Sequence, residues 1–217
     1  MITFDNTDER IRYFHLELER DLPAHFDEPS LPEGYHFSFY QPGDRDAWIA
    51  IEISAKELKD YAQGLEVWDR YYGPHEAQMP RRMVFVENTR GEKVATATAF
   101  FDSFGVDDGI LGWLHWVAVR REDQGKGISK PLIAHTLNRL IELGYRRAHI
   151  PTQCTTWVAC RIYLDFGFLP VPENAEQNKT GWDIVRTLTR HPALDAFDLL
   201  PESEILRPGV LTQNQEN

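Results

Sequence analysis

The sequence contains a short loop whose residue types suit the binding of an anion. Gly125 and Gly127 flank Lys126, between an apolar run that ends at Val119 and an amphipathic run that begins at Ile128. A strand that passes through such a loop into a helix exposes several backbone N–H groups at the positive end of the helix dipole. Glycine allows the backbone to approach a bound phosphate group closely. The loop therefore predicts a site for a pyrophosphate or a similar polyanion.

The distribution of charge supports a local anion site in a protein that is acidic overall. The formal net charge is −11 at pH 7, which disfavours a nucleic acid as the main partner because such binding depends on clustered Lys and Arg. Residues 111–150, in contrast, contain seven basic and three acidic residues, among them Arg120, Arg121 and Lys130 beside the loop. Chance fluctuation is the alternative explanation for this stretch. The acidic remainder favours a cationic or neutral small molecule as a second ligand.

Two familiar phosphate-binding patterns do not fit this loop. The G-x-x-x-x-G-K-[ST] pattern of a Walker loop is absent, and the G-x-G-x-x-G fingerprint of dinucleotide-binding proteins fails as well. The elements predicted before the loop are antiparallel strands, whereas a dinucleotide site opens a βαβ unit. A Gly-Lys-Gly turn alone is more often an ordinary loop than a ligand site, so the interpretation depends on the elements around it.

Hydrophobic periodicity places the loop at a junction between a strand and a helix. Three antiparallel strands are expected before the loop, and a helix from about Ile128 to Leu143 directly after it. Pro131 in the first turn and Gly144 after the last turn suit the two ends of that helix. The other predictions are a helix over residues 8–20, a strand over 35–40, two helices within 45–72, strands over 82–86, 93–101, 111–119 and 148–150, a helix over 156–166, and strands over 168–171 and 182–188.

Two motifs in this region resemble signatures of the GCN5-related N-acetyltransferase (GNAT) family. Gln124-Gly-Lys-Gly-Ile-Ser129 resembles the acyl-CoA loop [QR]-x-x-G-x-[GA], with Ser129 in place of the usual Gly or Ala. Downstream, Ala159-Cys-Arg-Ile-Tyr-Leu-Asp-Phe-Gly-Phe168 resembles A-x-x-[LI]-Y-x-x-x-G-F. The predicted element order from residue 35 to residue 188 agrees. The resemblance implies an α/β (α+β) fold of the acyl-CoA N-acyltransferase type, with a mixed, mainly antiparallel central sheet of six or seven strands flanked by helices.

By this resemblance acetyl-CoA is the cosubstrate, and the motif residues hold it. Backbone N–H groups of the loop are expected to bind the CoA pyrophosphate; the loop residues are Gln124, Gly125, Lys126, Gly127, Ile128 and Ser129. Backbone groups of Val117 and Val119 are expected to pair with the pantetheine arm as an added strand would. Thr156 stands where many members have an Asn that touches the pantetheine. No metal is expected, because no cluster of His, Cys and carboxylates has zinc-like spacing.

The resemblance also assigns an acid for acetyl transfer. Tyr163 matches the family's general acid, which protonates the departing CoA sulfur. The alternative is an aromatic side chain that packs in the core. The backbone N–H of Val117, on the strand predicted over residues 111–119, is expected to stabilise the developing oxyanion. A covalent route through Cys154 or Cys160 is disfavoured, since no His–carboxylate partner is evident.

His115 is the candidate base. It lies two residues before Val117 on the same strand, so the two side chains are expected to face the same way. Arylalkylamine acetyltransferases of the family carry a His at the matching place of an H-x-x-A-V strand. An imidazole with a pKa near ~6.5 suits proton removal from an amine. Most strand histidines are structural, and many family members use carboxylates or water instead; His149 is a second candidate.

The expected acceptor is a primary amine of a small molecule. Aromatic residues that could wall its site are Trp48, Trp68, Tyr71, Tyr72, Trp113, Trp116 and Trp157. With acidic neighbours such as Glu52, Glu66 or Asp69 they would attract an amine through cation–π and charge contacts. For any single ring, simple filling of the core is the alternative explanation.

The organisation expected is one GNAT domain with two extensions. Residues 1–33 are predicted to form an N-terminal helical extension, residues 34–190 the acetyltransferase domain, and residues 191–217 a tail that packs back through Leu194, Phe197, Leu199 and Leu200. Few cysteines, no apolar signal core and no membrane-length apolar run favour a cytoplasmic protein with no membrane partner. Dimers are common in families of this kind, so a homodimer stays open.

Two functions from different classes fit the motifs. The first is an acetyl-CoA-dependent N-acetyltransferase that acts by direct transfer to the amine. The second is a non-catalytic acyl-CoA-binding sensor or regulatory module with the same fold. Ser129 and Thr156 depart from the family pattern and permit the second function, whereas Tyr163 and His115 favour the first.

Overall fold

The computed structural model describes Asp8, residues 11–101 and residues 109–197, and these residues form seven strands and six α-helices. The strands are β1 (His15–Asp21), β2 (His36–Phe39), β3 (Met83–Glu87), β4 (Lys93–Phe100), β5 (Leu111–Val119), β6 (Arg147–Gln153) and β7 (Leu169–Pro170). The helices are α1 (Arg45–Ser54), α2 (Tyr61–Tyr71), α3 (Ser129–Glu142), α4 (Trp157–Asp165), α5 (Pro172–Gln177) and α6 (Lys179–Thr189). One mixed sheet in the order β2-β3-β4-β5-β6-β1-β7, with flanking helices, confirms the predicted fold class.

By its internal contacts the described chain falls into two compact units. The first runs from Asp21 to Ala148, and the second combines the residues up to Arg20 with those from His149 onwards. In the first unit, β2, β3, β4 and β5 pair antiparallel in chain order, which confirms the predicted hairpin. The two predicted helices between β2 and β3 and the helix after the glycine loop are also confirmed.

Helices cover β4 and β5 from both sides in the first unit. Helix α1 packs on α2, β4 and β5, and α3 packs on β4 and β5. Tyr72, at the end of α2, donates a hydrogen bond to Thr98 of β4 at 3.2 Å. On the other face, a Cβ added at Gly112 of β5 would lie 2.6 Å from Leu140 of α3. Burial on both faces explains why these two strands contain no Asp, Glu or Arg and a single Lys, at the start of β4.

A β-bulge interrupts β5 at its centre. The register pairs Thr98 with His115 and then Thr96 with Ala118, so β5 has one residue more than β4 in this interval. Trp116, inside the interval, has a left-handed φ of 47°, which is uncommon for a bulky side chain. The extra residue leaves part of β5 without a directly opposite partner in β4.

The bulge overturns the predicted orientation of His115. Thr96 and Thr98 lie two residues apart on one face of β4, and the residues paired with them, Ala118 and His115, share that face. Val117, next to Ala118, therefore faces the opposite side of the sheet. The prediction that His115 and Val117 face the same way is wrong, because the extra residue shifts the alternation between them.

In the second unit, strand β1 takes the place of the helix predicted over residues 8–20. Leu16 and Leu18 are fully buried, and Glu17 between them is partly exposed, which is the period-2 pattern of a strand. β1 pairs antiparallel with β7, with Leu18 opposite Pro170. The helix prediction is wrong because a short run of alternating leucines and glutamates carries a strand pattern that helix-forming residue types obscured.

The strand predicted over residues 182–188 is also wrong, since this segment belongs to α6. Trp182, Val185 and Thr189 are buried at helical spacing. The Trp182 indole N–H donates to the side-chain oxygen of Asn174 at 2.9 Å and ties α6 to α5. A short apolar run does not distinguish a strand from a buried helix by periodicity alone.

The C-terminal segment is described as far as residue 197, and its packing on the domain stays a prediction. Leu194 is fully buried and Phe197 is half-buried, whereas Leu199 and Leu200 lie outside the described residues. The domain limits themselves stay a prediction. Among the described residues, no helix has the length and apolar character needed to cross a membrane.

Candidate active site

The glycine loop links β5 to α3 through two left-handed residues. A short 3-10 turn, Arg121–Asp123, follows β5. Gly125 then has a φ of 74° and Gly127 a φ of 86° before α3 begins at Ser129. A residue with a side chain is strained at such angles, so glycine at these two positions is what allows the chain to bend into the helix.

The backbone N–H groups of this loop are available to a ligand. Within the described part of the chain, no hydrogen bond is donated by the N–H groups of Gly125, Lys126, Gly127, Ile128 or Ser129. No side chain caps α3, and its first turn contains no acidic residue. The loop glycines are exposed. Free N–H groups at an uncapped helix start are a site for an anion, which fits the predicted pyrophosphate position.

A buried carboxylate holds the loop in this conformation. Asp123 is 6% exposed and accepts hydrogen bonds from Tyr35 at 2.9 Å and from the Lys126 ammonium group at 2.7 Å. The hydrogen bond to Asp123 raises the pKa of Lys126. The ammonium group of Lys126 therefore stabilises the loop through its ion pair with Asp123. The contribution of this residue to anion binding is then expected to come mainly from its backbone N–H.

The side chain of Gln124 fastens the loop to the end of β5. Its Nε2 group donates to the carbonyl oxygen of Val119 at 3.0 Å. Its Oε1 atom is buried and has no hydrogen-bond partner within the described residues. Gln124 thus serves the loop through its side chain as well as through its backbone.

The two strand residues predicted to pair with pantetheine differ in their surroundings. Val119 is buried, and it pairs with Ala95 of β4. Val117 is half-buried and lies in the bulge, where the register gives it no directly opposite partner in β4. A bulge disrupts the ladder locally, and such a place is where backbone groups can turn to an added strand or an oxyanion.

His115 is enclosed by aromatic side chains. It is 5% exposed, stacks on Phe100 with ring centroids 5.1 Å apart, and meets Tyr71 edge-on at the same distance. Its Nδ1 atom lies 3.2 Å from the hydroxyl oxygen of Tyr72, which donates to Thr98. With Tyr72 donating to Thr98, its oxygen accepts from His115 Nδ1–H, and the Nε2 lone pair is left as the acceptor.

Burial keeps the His115 imidazole neutral. Desolvation lowers its pKa from 6.5 to about 3. A neutral imidazole can accept a proton, but one of such low basicity does so only from a strongly acidic donor. His115 is therefore suited to the proton of a positively charged reaction intermediate and poorly suited to that of a free ammonium ion.

Four of the predicted acceptor-site aromatics form one cluster on the α1 and α2 side of the sheet. The Trp48 ring lies 5.5 Å from Trp68, 5.3 Å from Tyr72 and 5.4 Å from Trp116, centroid to centroid. Trp48, Trp68 and Tyr72 are buried, and Trp116 of the bulge is half-buried. Trp157 belongs to the second unit.

Of the three acidic residues predicted to lie near these aromatic side chains, only Glu52 is buried. Glu66 and Asp69 are exposed on α2, whereas Glu52 of α1 is fully buried. Burial raises the pKa of Glu52 well above its ordinary value, so this carboxyl group is protonated over a wide pH range. Sequence reasoning named it only as one acid among several.

In the second unit, Tyr163 lies on α4 within the second motif. It is 5% exposed, and its carbonyl oxygen accepts from the N–H of Phe168 at 3.1 Å, which closes the end of the helix. Gly167 has a φ of 76° and ends α4. A Cβ added at Gly167 would lie 3.0 Å from the Arg20 guanidinium. The Gly-Phe pair of the motif is therefore needed for the turn that ends α4.

Two other predicted residues of the second unit are engaged in internal hydrogen bonds. The Thr156 hydroxyl donates to the carbonyl oxygen of Gln153 at 2.9 Å and lies 3.2 Å from the Thr152 hydroxyl. His149 Nδ1 lies 3.0 Å from a carboxyl oxygen of Glu19. Both side chains are buried, so neither is presented outward.

Both cysteines are buried thiols. Burial raises the pKa of Cys154 to about 11 and that of Cys160 to about 12. A thiol of this kind is almost entirely protonated near neutral pH and is a poor nucleophile. The surroundings of the cysteines agree with the preference for direct transfer.

Comparison with known proteins decides the family. The sequence profile of the Acetyltransferase (GNAT) family matches residues 46–168, more than half of the chain. The chain belongs to the GNAT acetyltransferase family. The match spans the glycine loop and ends at Phe168, the last residue of the second motif. No curated protein matches the chain.

Solved GNAT structures share the fold at low sequence identity. A GNAT from Sphaerobacter thermophilus is 22% identical with a TM-score of 0.59, covering 75% of this chain and 49% of its own. A tandem GNAT protein from the clavulanic acid biosynthesis pathway is 15% identical with a TM-score of 0.52, covering 76% and 52%. A GNAT acetyltransferase from Novosphingobium aromaticivorans is 18% identical with a TM-score of 0.51, covering 75% and 62%. The chain thus spans about half the length of the first two, and the likeness concerns the fold.

Sequence reasoning missed two features of this GNAT chain. The Asp123 anchor beneath the loop was not singled out, although Asp123 precedes Gln124 directly and Tyr35 opens the β2 segment. The isolation of Glu52 was also missed. Its position four residues after Trp48 on an apolar helix face was a visible signal.

Replacing Gly125 with Val is expected to weaken acetyl-CoA binding about tenfold or more, or about 1.4 kcal/mol. Valine is strained at a φ of 74° and turns the neighbouring N–H groups away from the ligand. Gly91→Val is the matched control, because Gly91 has a φ of 73° in the β3–β4 turn with open space around it. Calorimetry measures both affinities, and equal affinity in the two variants would contradict a role for the loop.

Stability is expected to fall as the pH drops below 6.5, partly because of His115. The pKa of His115 is about 3 in the folded protein and 6.5 in the unfolded chain. Between pH 6.5 and pH 3 the unfolded chain therefore binds a proton at His115 that the folded protein does not bind. The slope is at most about 1.4 kcal/mol per pH unit for one group. Urea unfolding of His115→Gln between about pH 5 and pH 6.5 should give a flatter dependence. Exposed His25→Gln is the control, and identical slopes in both variants would refute the buried neutral imidazole.

Proposed function

We propose that this chain is an acetyl-CoA-dependent N-acetyltransferase that moves an acetyl group directly to the primary amine of a small molecule. One observation carries the proposal. The N–H groups of Gly125 to Ser129 are free at an uncapped helix start, on the residues that match the acyl-CoA loop motif. The GNAT match gives the reaction class, and the acidic overall charge of −11 favours a cationic acceptor.

The residues of the first unit are suited to bind acetyl-CoA, which supplies a reactive thioester when bound. Loop N–H groups from Gly125 to Ser129 bind its diphosphate, with Gln124 and Asp123 fixing the loop. Backbone groups of Val117 and Val119 pair with the pantetheine arm. The N–H of Val117, in the bulge, donates to the thioester carbonyl and stabilises the oxyanion.

Two side chains move protons during transfer. As the neutral amine attacks, its nitrogen becomes positively charged and acidic, and the Nε2 lone pair of His115 accepts one proton from it. When the carbon–sulfur bond breaks, the Tyr163 hydroxyl donates its proton to the thiolate and regains one from solvent, and His115 releases its proton to solvent. The role of Tyr163 rests on its motif position, and that of His115 on the acceptor lone pair left by the Tyr72 contact.

A non-catalytic acyl-CoA-binding module is the second candidate. The Thr156 hydroxyl, which stands at the place of a pantetheine-binding Asn, is committed to Gln153 and Thr152. A chain that lost this contact could bind acyl-CoA and no longer turn it over. A cytoplasmic location and a homodimer remain predictions that rest on the sequence and the family resemblance.

Replacing Tyr163 with Phe is expected to lower acetyl transfer about 10²–10⁴-fold while acetyl-CoA affinity stays unchanged. The measurements are release of free CoA over a panel of primary amines and acetyl-CoA binding by calorimetry. Tyr61→Phe is the control, because Tyr61 is exposed and its hydroxyl donates to Asp46 at 2.8 Å. Full turnover by Tyr163→Phe would remove this residue from the mechanism. Acetyl-CoA binding without release by the unmodified protein for any amine would establish the binding module instead.

A further inference from the structure

Glu52 is a carboxylic acid placed where packing alone gives no reason for one. It lies on the inner face of α1 together with Trp48, Ile49 and Ile51, and all four side chains are fully buried. Neither of its carboxyl oxygens has a hydrogen-bond partner within the described residues. A buried polar group without a partner destabilises a fold relative to an apolar side chain of the same size.

A second buried polar atom without a partner lies on the same face. The indole Nε1 of Trp48 has no hydrogen-bond partner among the described residues. Trp48 precedes Glu52 by four residues, so the two side chains are neighbours one turn apart on the helix. One donor and two acceptors, all buried and without a hydrogen-bond partner among the described residues, therefore lie on neighbouring side chains. A ligand with an amino group and further polar atoms would satisfy them.

Aromatic rings connect this place to the bulge of β5. Trp48 lies 5.4 Å from Trp116 and 5.3 Å from Tyr72, both edge-on. Trp116 is the left-handed residue of the bulge, directly before Val117, whose backbone we assign to the thioester carbonyl. Aromatic faces around an acidic group attract an ammonium ion through cation–π contacts.

We infer that Glu52 binds the ammonium group of the acceptor amine and takes up the proton that this group loses before it attacks the thioester. The inference rests on the proposed function and assigns its first proton acceptor. The titratable groups that interact electrostatically with Glu52 from the surrounding elements are Glu57, after α1, and Tyr72, after α2. On β5, His115 lies 3.2 Å from the Tyr72 hydroxyl. Among the described residues no basic side chain forms an ion pair with Glu52.

The protons balance over one turnover. Burial raises the pKa of Glu52 in the free protein, so the carboxyl group is protonated and releases its proton to solvent when the ammonium ion binds. An N–H bond of the ammonium then breaks and an O–H bond forms on Glu52 in a transient step that frees the amine lone pair for attack. The amine, now neutral, attacks, and its second proton goes to His115. Each turnover thus releases one proton, one free CoA and one amide, and Glu52 ends protonated as it began.

The test compares Glu52→Gln, which keeps the shape and cannot take a proton, with Glu66→Gln on the exposed face of α2. Initial rates are measured with saturating acetyl-CoA and n-butylamine, ethanolamine, 2-phenylethylamine and putrescine. We expect Glu52→Gln to lower kcat/KM about 10²–10⁴-fold and to remove the acid limb of its pH profile, with acetyl-CoA affinity unchanged. Glu66→Gln should behave as the unmodified protein.

Two further measurements separate failure of this inference from failure of the proposed function. The infrared carbonyl band of a protonated buried carboxyl group should be present in the free protein, disappear when the amine binds, and be missing in Glu52→Gln. Glu52→Met should unfold at higher urea concentration yet lose activity, which covers the case in which Glu52→Gln does not fold. Amine turnover with an unaltered pH profile in Glu52→Gln would overturn the inference and leave the proposed function intact. Absence of turnover in the unmodified protein would overturn the proposed function, and an infrared band that no amine changes would then overturn the inference too.

Discussion

The first N–H groups of an α-helix have no acceptor within the helix, and in the described chain no hydrogen bond is donated by the N–H groups of Gly125 to Ser129, which lead into α3. The rest of the first unit is arranged around that constraint. Gly125 and Gly127 turn the chain so that consecutive N–H groups precede the helix, and Asp123 anchors the turn from beneath. An acidic residue in the first turn would satisfy these groups internally, and α3 has none. The unsatisfied groups are the physical basis for binding a diphosphate.

A second irregularity, the bulge of β5, lies where the proposed mechanism brings the acetyl-CoA thioester and the acceptor amine together. The extra residue interrupts the register between β5 and β4 at Val117, and Trp116 beside it lies 5.4 Å from Trp48, centroid to centroid. It also places His115 on the α1 and α2 face. In the proposed mechanism, one local departure from regular pairing therefore serves both the thioester carbonyl, through the backbone, and the amine, through the side chains. Bulges near active sites commonly re-aim side chains in this way.

The sequence predicted the loop and failed at the bulge for identifiable reasons. The glycines at positions 125 and 127 indicate left-handed backbone. The positive φ of Trp116 cannot be predicted from its residue type, because tertiary packing imposes it. The alternating Leu16-Glu17-Leu18 run carried a strand signal that was too short to outweigh helix-forming residue types. The acid at position 52 was visible, but its lack of partners depends on α2, β4 and β5, which meet α1 only in the folded chain.

Amide NMR on the uniformly ¹⁵N-labelled protein tests the central claim most directly. On titration with CoA, the N–H signals of Gly125, Lys126, Gly127 and Ile128 should shift strongly downfield together, because each N–H gains a charged acceptor, and their exchange with solvent should slow. The N–H signal of Gly91, in a turn of similar backbone geometry, should not move. Saturation with CoA that leaves the four loop signals in place would contradict the account.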